Sequence, residues 1–227
     1  MPKGTLIAIE GIDGAGKRTQ LDLLCTALQT RGVLFHRMSF PRYSSFFGTL
    51  VGRFLNGEFG ALQQVNPHLS ALLYAGDRFE AKKEMETAIE RGKTIVTDRY
   101  IGSNLAHQTA RMPPERREAF LAWLRRLEYE VYSLPQEDLV VYLRLPATDA
   151  QRLVTQKASR EYTEKKMDIQ EADIAHLEAA AGVYDRLAKE PNWAVIECFD
   201  EKGNALRSPE AIHSDVMKIL EARRLVK

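Results

Sequence analysis

The sequence predicts an α/β fold of three layers, with about five mostly parallel strands flanked by helices. Three observations carry that expectation. Short, continuously apolar runs such as TLIAI (Thr5 to Ile9), TIVTDRY (Thr94 to Tyr100) and DLVVYLRL (Asp138 to Leu145) have the composition of strands covered on both faces. Tracts with helical periodicity separate them, as right-handed β-α-β crossovers require. A glycine-rich stretch, GIDGAGK, joins the first run to the first helical tract.

Each element has its own local reason. After TLIAI, the residues Leu21, Leu24, Cys25 and Leu28 recur at helical spacing until Gly32, and VLFHRMSF is a second strand ending at Phe40-Pro41. A helix around Phe46 to Leu55 gives way to a turn rich in Gly and Asn. From about Pro67 to Glu90 the pattern is helical again, with Leu69, Leu72, Leu73 and Ala75 on related turns. TIVTDRY is the third strand, and its end carries Asp98 and Arg99. A long helical section follows Pro113-Pro114 and stops near Pro135; DLVVYLRL then forms the fourth strand and leads into ATDAQRLVTQKA. WAVIECF is the fifth, and Ser208-Pro209-Glu210-Ala211 has the cap-then-proline order of a helix start, opening the last helix. Residues 1–227 read as one domain, with a charged lid inserted at about 156–173.

Bulk composition narrows the class. A chain of 227 residues buries one sizeable core, and 44% hydrophobic with 28% charged residues is ordinary for a globular protein in water. Lys and Arg total 32 against 31 Asp and Glu, a formal charge of +1, so no basic face for a nucleic-acid polymer is indicated. MPKGTLIAIEG is too short in its apolar part for a secretory leader, and no run approaches the roughly 18 apolar residues of a membrane span. The two cysteines, Cys25 and Cys198, lie in apolar surroundings and read as buried thiols, which fits a reducing cytoplasm.

Gly11-Ile12-Asp13-Gly14-Ala15-Gly16-Lys17 satisfies GxxxxGK, the phosphate-binding loop of ATP-using proteins. Its glycines let successive amides point inward, and the helix beginning near Lys17 adds its positive end. Lys17 is placed to reach the outer phosphates, with Arg18 and Thr19 on the first helical turn. Arg18 stands where a magnesium-binding hydroxyl is usual, and Thr19 is displaced by one residue. Mg2+ is therefore expected to lean on phosphate oxygens, water and the carboxylates of Asp13 and Asp98. Arg18 either adds charge to the nucleotide site or makes a surface salt bridge.

The loop binds ATP but leaves the acceptor open. Arginines at strand and helix ends, Arg42, Arg78 and Arg99, with Arg160, Lys165 and Lys166 in the charged tract, suit transfer between two anionic nucleotides. Here the chain resembles the thymidylate kinase (dTMP kinase) family over nearly its full length, through IEGIDGAGKRTQ, FPRY, LLYAGDR, DRYIGSN followed by AHQ, KKMDIQEAD and RSPEAIH. The resemblance implies transfer of the γ-phosphate of ATP to dTMP with Mg2+, in the route to dTTP. It also implies a homodimer, with nucleotides as the only other partners. It implies that Lys17 and the loop backbone hold ATP, and that Arg99 bridges the acceptor phosphate and the phosphoryl group. Asp13 would lie near the acceptor sugar and metal. Phe40, Pro41, Arg42 and Tyr43 would wall the acceptor phosphate, Tyr74 would stack on the base, and Arg78 would reach a base carbonyl. Asn104, His107 and Gln108 would complete the acceptor site.

Plainer roles compete for several of these. Tyr74 suits a helix core, Arg78 suits an ion pair with Glu80 or another surface carboxylate, and Asn104 suits a helix cap. His107 stands where the family usually has Tyr or Phe beside the 2′ carbon, which loosens the expected exclusion of ribose. Arg42 directly follows the proline, where many members place the arginine elsewhere. Gly14 occupies a position that is basic in other members, and this points to Arg160 in the lid as the catalytic arginine, with Lys157 close by in the sequence. Asp168, Glu171 and Asp173 form the lid's acidic part. The alternatives are a kinase for another nucleotide or a deoxynucleoside, and an ATP-binding switch that transfers nothing. LLYAGDRFE and FLAWLRRLEYEVY hold apolar stripes suited either to a dimer face or to core.

Overall fold

A computed structural model of the chain describes residues 3–155, 168–200 and 205–226. In chain order, β1 (Leu6–Glu10) leads through the glycine loop to α1 (Lys17–Thr30) and β2 (Phe35–Ser39). Next come α2 (Phe46–Leu55), α3 (Pro67–Glu90), β3 (Thr94–Asp98) and α4 (Ile101–Ala110). A short 3-10 turn (Pro114–Arg116), α5 (Arg117–Arg125) and a π-helical turn (Arg126–Val131) precede β4 (Leu139–Arg144). The chain closes with α6 (Ala147–Thr155), α7 (Ile174–Leu187), β5 (Trp193–Glu197), the hairpin of β6 (Phe199–Asp200) and β7 (Ala205–Leu206), and α8 (Pro209–Ala222).

The main sheet has five strands in the order β2-β3-β1-β4-β5, and every pairing in it is parallel. Four central positions show why the strands read as apolar runs: Leu6, Ile7, Ala8 and Ile9 are fully buried under helices on both faces. The helix ends follow their caps. Ser208 Oγ accepts from the Ala211 amide at 3.2 Å with Pro209 behind it, and Asn66 Oδ1 accepts from the His68 amide at 2.9 Å ahead of α3. Pairing of Ile9 with Asp98 and of Ser39 with Asp98 brings the ends of β1, β2 and β3 to one level. In an open parallel sheet, that carboxyl edge is where ligands bind.

Helix α4 and the β6-β7 hairpin were not legible in advance, and α7 went unread as well. Helix α4 has no apolar stripe, because all but one of its residues are buried, polar ones included. The β6-β7 hairpin is two residues a side and antiparallel, too short for a periodicity signal. Of the apolar stripe in FLAWLRRLEYEVY, Phe120, Leu121 and Leu124 enter the core. Both cysteines are buried free thiols whose pKa burial raises. Among the described residues, no helix is long and apolar enough to cross a membrane.

Candidate active site

The glycine loop needs its glycines for space as well as for backbone angles. Gly11 has φ 146° and Gly14 φ 92°, both in the left-handed region. A β-carbon on Gly14 would fall 2.1 Å from the Ala150 carbonyl oxygen of α6. That contact gives the physical reason why no basic side chain occupies this loop position: the loop is pressed against α6. Lys17 is buried, and its Nζ donates to the Ile12 carbonyl at 2.9 Å, folding back across the loop. Arg18 and Thr19 are exposed on the first turn of α1.

The end of β3 brings a second charge to that loop. The Arg99 amide donates to the Ile9 carbonyl at 3.0 Å, continuing the β1-β3 ladder, and the residue then turns at φ 65°. Its Nη2 donates to Asp13 Oδ1 at 2.5 Å and its Nη1 to Ser103 Oγ at 2.9 Å. Burial alone would lower the Arg99 pKa, but Asp13, Tyr184, Asp98 and Glu10 together raise it well above the usual guanidinium value. The cation is permanent. Asp98 beside it has one carboxylate oxygen, Oδ1, buried with no hydrogen-bond partner among the described residues.

Beneath this pair lies a carboxylate the sequence reading passed over. Glu10 is fully buried, and accepts from the Tyr100 amide (2.7 Å), the Ser103 amide (3.0 Å), Ser103 Oγ (2.6 Å) and Tyr184 Oη (2.8 Å). It anchors the N-terminal turn of α4, where a negative charge complements unpaired amides. A charged residue in an otherwise apolar strand was the available signal.

A cleft enclosing about 480 Å³ and open to solvent adjoins Asp13 and Arg99. Phe40, Pro41, Tyr43 and Tyr74 line it. Arg78, Asn104, His107 and Gln108 also line it, so the structure brings together the expected acceptor residues with one exception. The exception is Arg42, which is not among the lining residues. Its Nε donates to Asp77 Oδ1 at 3.2 Å and its Nη2 to the Asp77 carbonyl at 2.9 Å, with Glu80 at 3.7 Å and Glu84 at 3.9 Å. Three carboxylates on α3 outcompete the cleft for this guanidinium, and the expected place beside the acceptor phosphate is not where the side chain lies.

Arg78 does not pair with Glu80. It is buried against Glu128, which is also fully buried, through Nε to Oε2 at 3.0 Å and through Nη2 to Oε1. Asn104 does not cap a helix; it sits inside α4 and donates from Nδ2 to the Ala71 carbonyl (3.0 Å) and to Glu128 Oε1 (2.8 Å). Gln108 Oε1 accepts from Ser70 Oγ at 2.8 Å and from Arg111 Nη1 at 2.7 Å. Tyr74 meets the edge of Phe54 at a centroid distance of 6.3 Å, and burial raises its pKa well above the phenol value, so the ring stays neutral. His107 lies 3.4 Å from Arg99 Nη1 and 3.3 Å from His176 Nε2. Burial first, then the Arg99 charge, holds its pKa well below the usual range, and burial with Arg111 brings His176 down to about 4. Glu128, Arg111 and His176 were invisible in the sequence: none lines the cleft, and each acts on it through a lining residue, Glu128 through Arg78 and Asn104, Arg111 through Gln108 and His176 through His107.

Of the lid, Arg160, Lys157, Lys165 and Lys166 lie outside the described residues. Its acidic end is described. Asp168 lines the cleft and accepts the Gln170 and Glu171 amides at 2.9 and 3.0 Å, while the Ile169 amide bonds the Leu55 carbonyl at 3.2 Å. Glu171 is buried, and Asp173 caps α7 by accepting the His176 amide at 3.0 Å.

Comparison with known proteins gives concordant results. A family model described as thymidylate kinase matches residues 9–208. The thymidylate kinase of Mycobacterium tuberculosis (strain ATCC 25618 / H37Rv) is 32% identical over 195 residues, covering 84% of this chain and 90% of that protein. The thymidylate kinase of Homo sapiens is 29% identical over 222 residues, covering 96% of this chain and 91% of its own. The solved structure of thymidylate kinase from Candida albicans superposes with a TM-score of 0.75 at 20% identity, covering 98% of this chain and 93% of the other, a likeness of fold.

Proposed function

The chain belongs to the thymidylate kinase family, and from that premise we propose that its cleft passes the γ-phosphate of ATP to dTMP, giving dTDP and ADP. The observation that carries the reading is the Asp13–Arg99 contact, which joins the phosphate loop to the wall of a second pocket. The alternative of a switch that binds ATP without transfer has no use for that second pocket.

In this reading the amides of Gly14 to Arg18 and the Lys17 ammonium hold the ATP phosphates, Lys17 leaving the Ile12 carbonyl for them. Arg99 stands between the acceptor phosphate and the phosphoryl group, offsetting repulsion between two anions and holding attacking and leaving oxygens in line. Tyr74 stacks on thymine, worth roughly 1–3 kcal/mol. No strong general base is required, because positioning and charge dominate phosphoryl transfer. The lid supplies Arg160 toward the phosphates and excludes water from them; residues 1–227 act as one domain with this insert.

Mg2+ fits the donors present. Among the described residues no group of three or more His, Cys, Asp or Glu forms a metal cage. A magnesium ion in a phosphoryl-transfer site takes one or two carboxylates and completes its shell with phosphate and water. Asp98, with its unpartnered Oδ1, and Asp13 would hold it, and it would supply charge neutralisation on the phosphates. A homodimer is part of the proposal and is supported by exposed Phe46 on α2 and Phe79 on α3. A cytoplasmic location accords with the free buried thiols.

Measuring ADP formation by purified protein with ATP, with and without dTMP, tests the reading. Strong stimulation by dTMP is the expected result. ADP formed at one rate whether or not dTMP is added would end it.

A further inference from the structure

The base end of the cleft is built around a carboxylate that does not itself line it. Glu128 is fully buried and sits in the π-helical turn, where its carbonyl accepts the Leu134 amide at 3.0 Å. Irregular turns of this kind recur at functional sites because they re-aim side chains. Its carboxylate takes two donors of Arg78 and one of Asn104. A carboxylate accepts only, so Asn104 must turn its NH2 toward Glu128, and the Ala71 carbonyl on the same nitrogen demands the same orientation. The consequence is visible in what is left over. Asn104 Oδ1 is buried with no partner among the described residues. Arg78 has spent Nε and Nη2, which leaves Nη1 as its remaining nitrogen.

We propose that Glu128 is the positioning residue that sets the polarity of the base site, presenting an acceptor from Asn104 beside a donor from Arg78, and thereby selects bases with an imide edge over those with an amidine edge. This rests on the reading of the cleft as the dTMP site. A thymine or uracil edge offers N3–H to the acceptor and O4 to the donor. A cytosine edge offers N3 as an acceptor and N4–H2 as a donor, so each group would meet its like in a buried setting, the arrangement that discriminates most strongly. Glutamine at position 128 accepts at one atom only and donates at the other, so reversing the Asn104 amide then costs the Ala71 hydrogen bond alone.

Steady-state kinetics with dTMP and dCMP on the wild type, Glu128→Gln and Glu128→Asp test this. The expected result is a dTMP-over-dCMP ratio of kcat/KM that falls at least ~10-fold in Glu128→Gln, with the change in KM for dTMP and kcat within ~3-fold. Glu128→Asp, still acceptor-only, keeps the ratio within ~3-fold even where its melting temperature drops. An unchanged ratio in folded Glu128→Gln overturns the proposal while leaving the dTMP reading intact, whereas a wild type that phosphorylates no dTMP overturns both. Should Glu128→Gln not fold, binding of N3-methyl-dTMP to the wild type decides. Loss of at least ~100-fold against dTMP supports the buried acceptor, and equal binding removes it.

Discussion

The two halves of the cleft are built from different materials. On the proposed reading, the ATP half is backbone: left-handed Gly11 and Gly14, the amides between them, and a lysine resting on the Ile12 carbonyl. The acceptor half is side chain, with charged and polar groups locked in pairs: Arg99 with Asp13, Arg78 with Glu128, Gln108 with Ser70 and Arg111. A backbone cradle is specified by neighbours along the chain and tolerates little besides glycine. A side-chain wall is specified by residues far apart, and its chemistry changes with any one partner. Substitutions in the first half should act mainly on folding of the loop and on ATP, and substitutions in the second mainly on the acceptor and on turnover.

The largest effect is expected where the halves meet. Arg99→Ala removes the guanidinium that, among the described residues, pairs with Asp13 of the phosphate loop, and turnover should fall by about a thousandfold, roughly 4 kcal/mol. ATP affinity, measured by titration calorimetry, should stay within about 3-fold, because the amides and Lys17 remain. The melting temperature separates this from unfolding. An equal loss of ATP affinity would erase the distinction between the halves.

The same contrast explains what could be read in advance. GIDGAGK was legible because its meaning lies in contiguous spacing, directly after a buried strand. The five strands were legible for the same reason, as apolar runs covered on both faces. Tyr74, Asn104 and His107 were found at the cleft through family resemblance, while their partners were not. Glu128 lies in RRLEYE, where nothing distinguishes a buried carboxylate from a solvated one. His176 acquires its role only when α4 and α7 pack together, and Arg111 when the end of α4 meets α3 and the loop before it, where it bonds Ser70 Oγ and the Leu62 carbonyl, both at 2.6 Å. Contacts between distant elements leave no mark on local pattern.

A smaller effect, confined to the backbone half, is expected from Gly14→Ala. The methyl would meet the Ala150 carbonyl at 2.1 Å, and φ 92° is costly for any residue with a β-carbon. Strain and clash together should cost at least ~2 kcal/mol, read as a lower denaturation midpoint. ATP affinity should weaken with it, while binding of dTMP alone, by calorimetry, should change by less than about 3-fold. Loss of dTMP binding with the loop would show that the acceptor half depends on the cradle for its shape.

The smallest effect should come from Arg42, the arginine whose position in the chain suggested the acceptor phosphate and whose side chain lies elsewhere. Its chief partner, Asp77, is buried, which would make loss of the cation expensive if nothing else satisfied that carboxylate. Two donors survive the substitution: the residue-42 amide to Oδ2 at 2.8 Å, and Ser45 Oγ to Oδ1 at 2.7 Å. The guanidinium is a quarter exposed, so its pairs with Glu80 and Glu84 are screened by water. Arg42→Ala should therefore lower stability by no more than about 1 kcal/mol in chemical denaturation and leave KM for dTMP within about 3-fold. A rise in KM beyond about tenfold would mean that the side chain leaves Asp77 when the acceptor phosphate arrives, and that three carboxylates hold it only until a stronger anion competes.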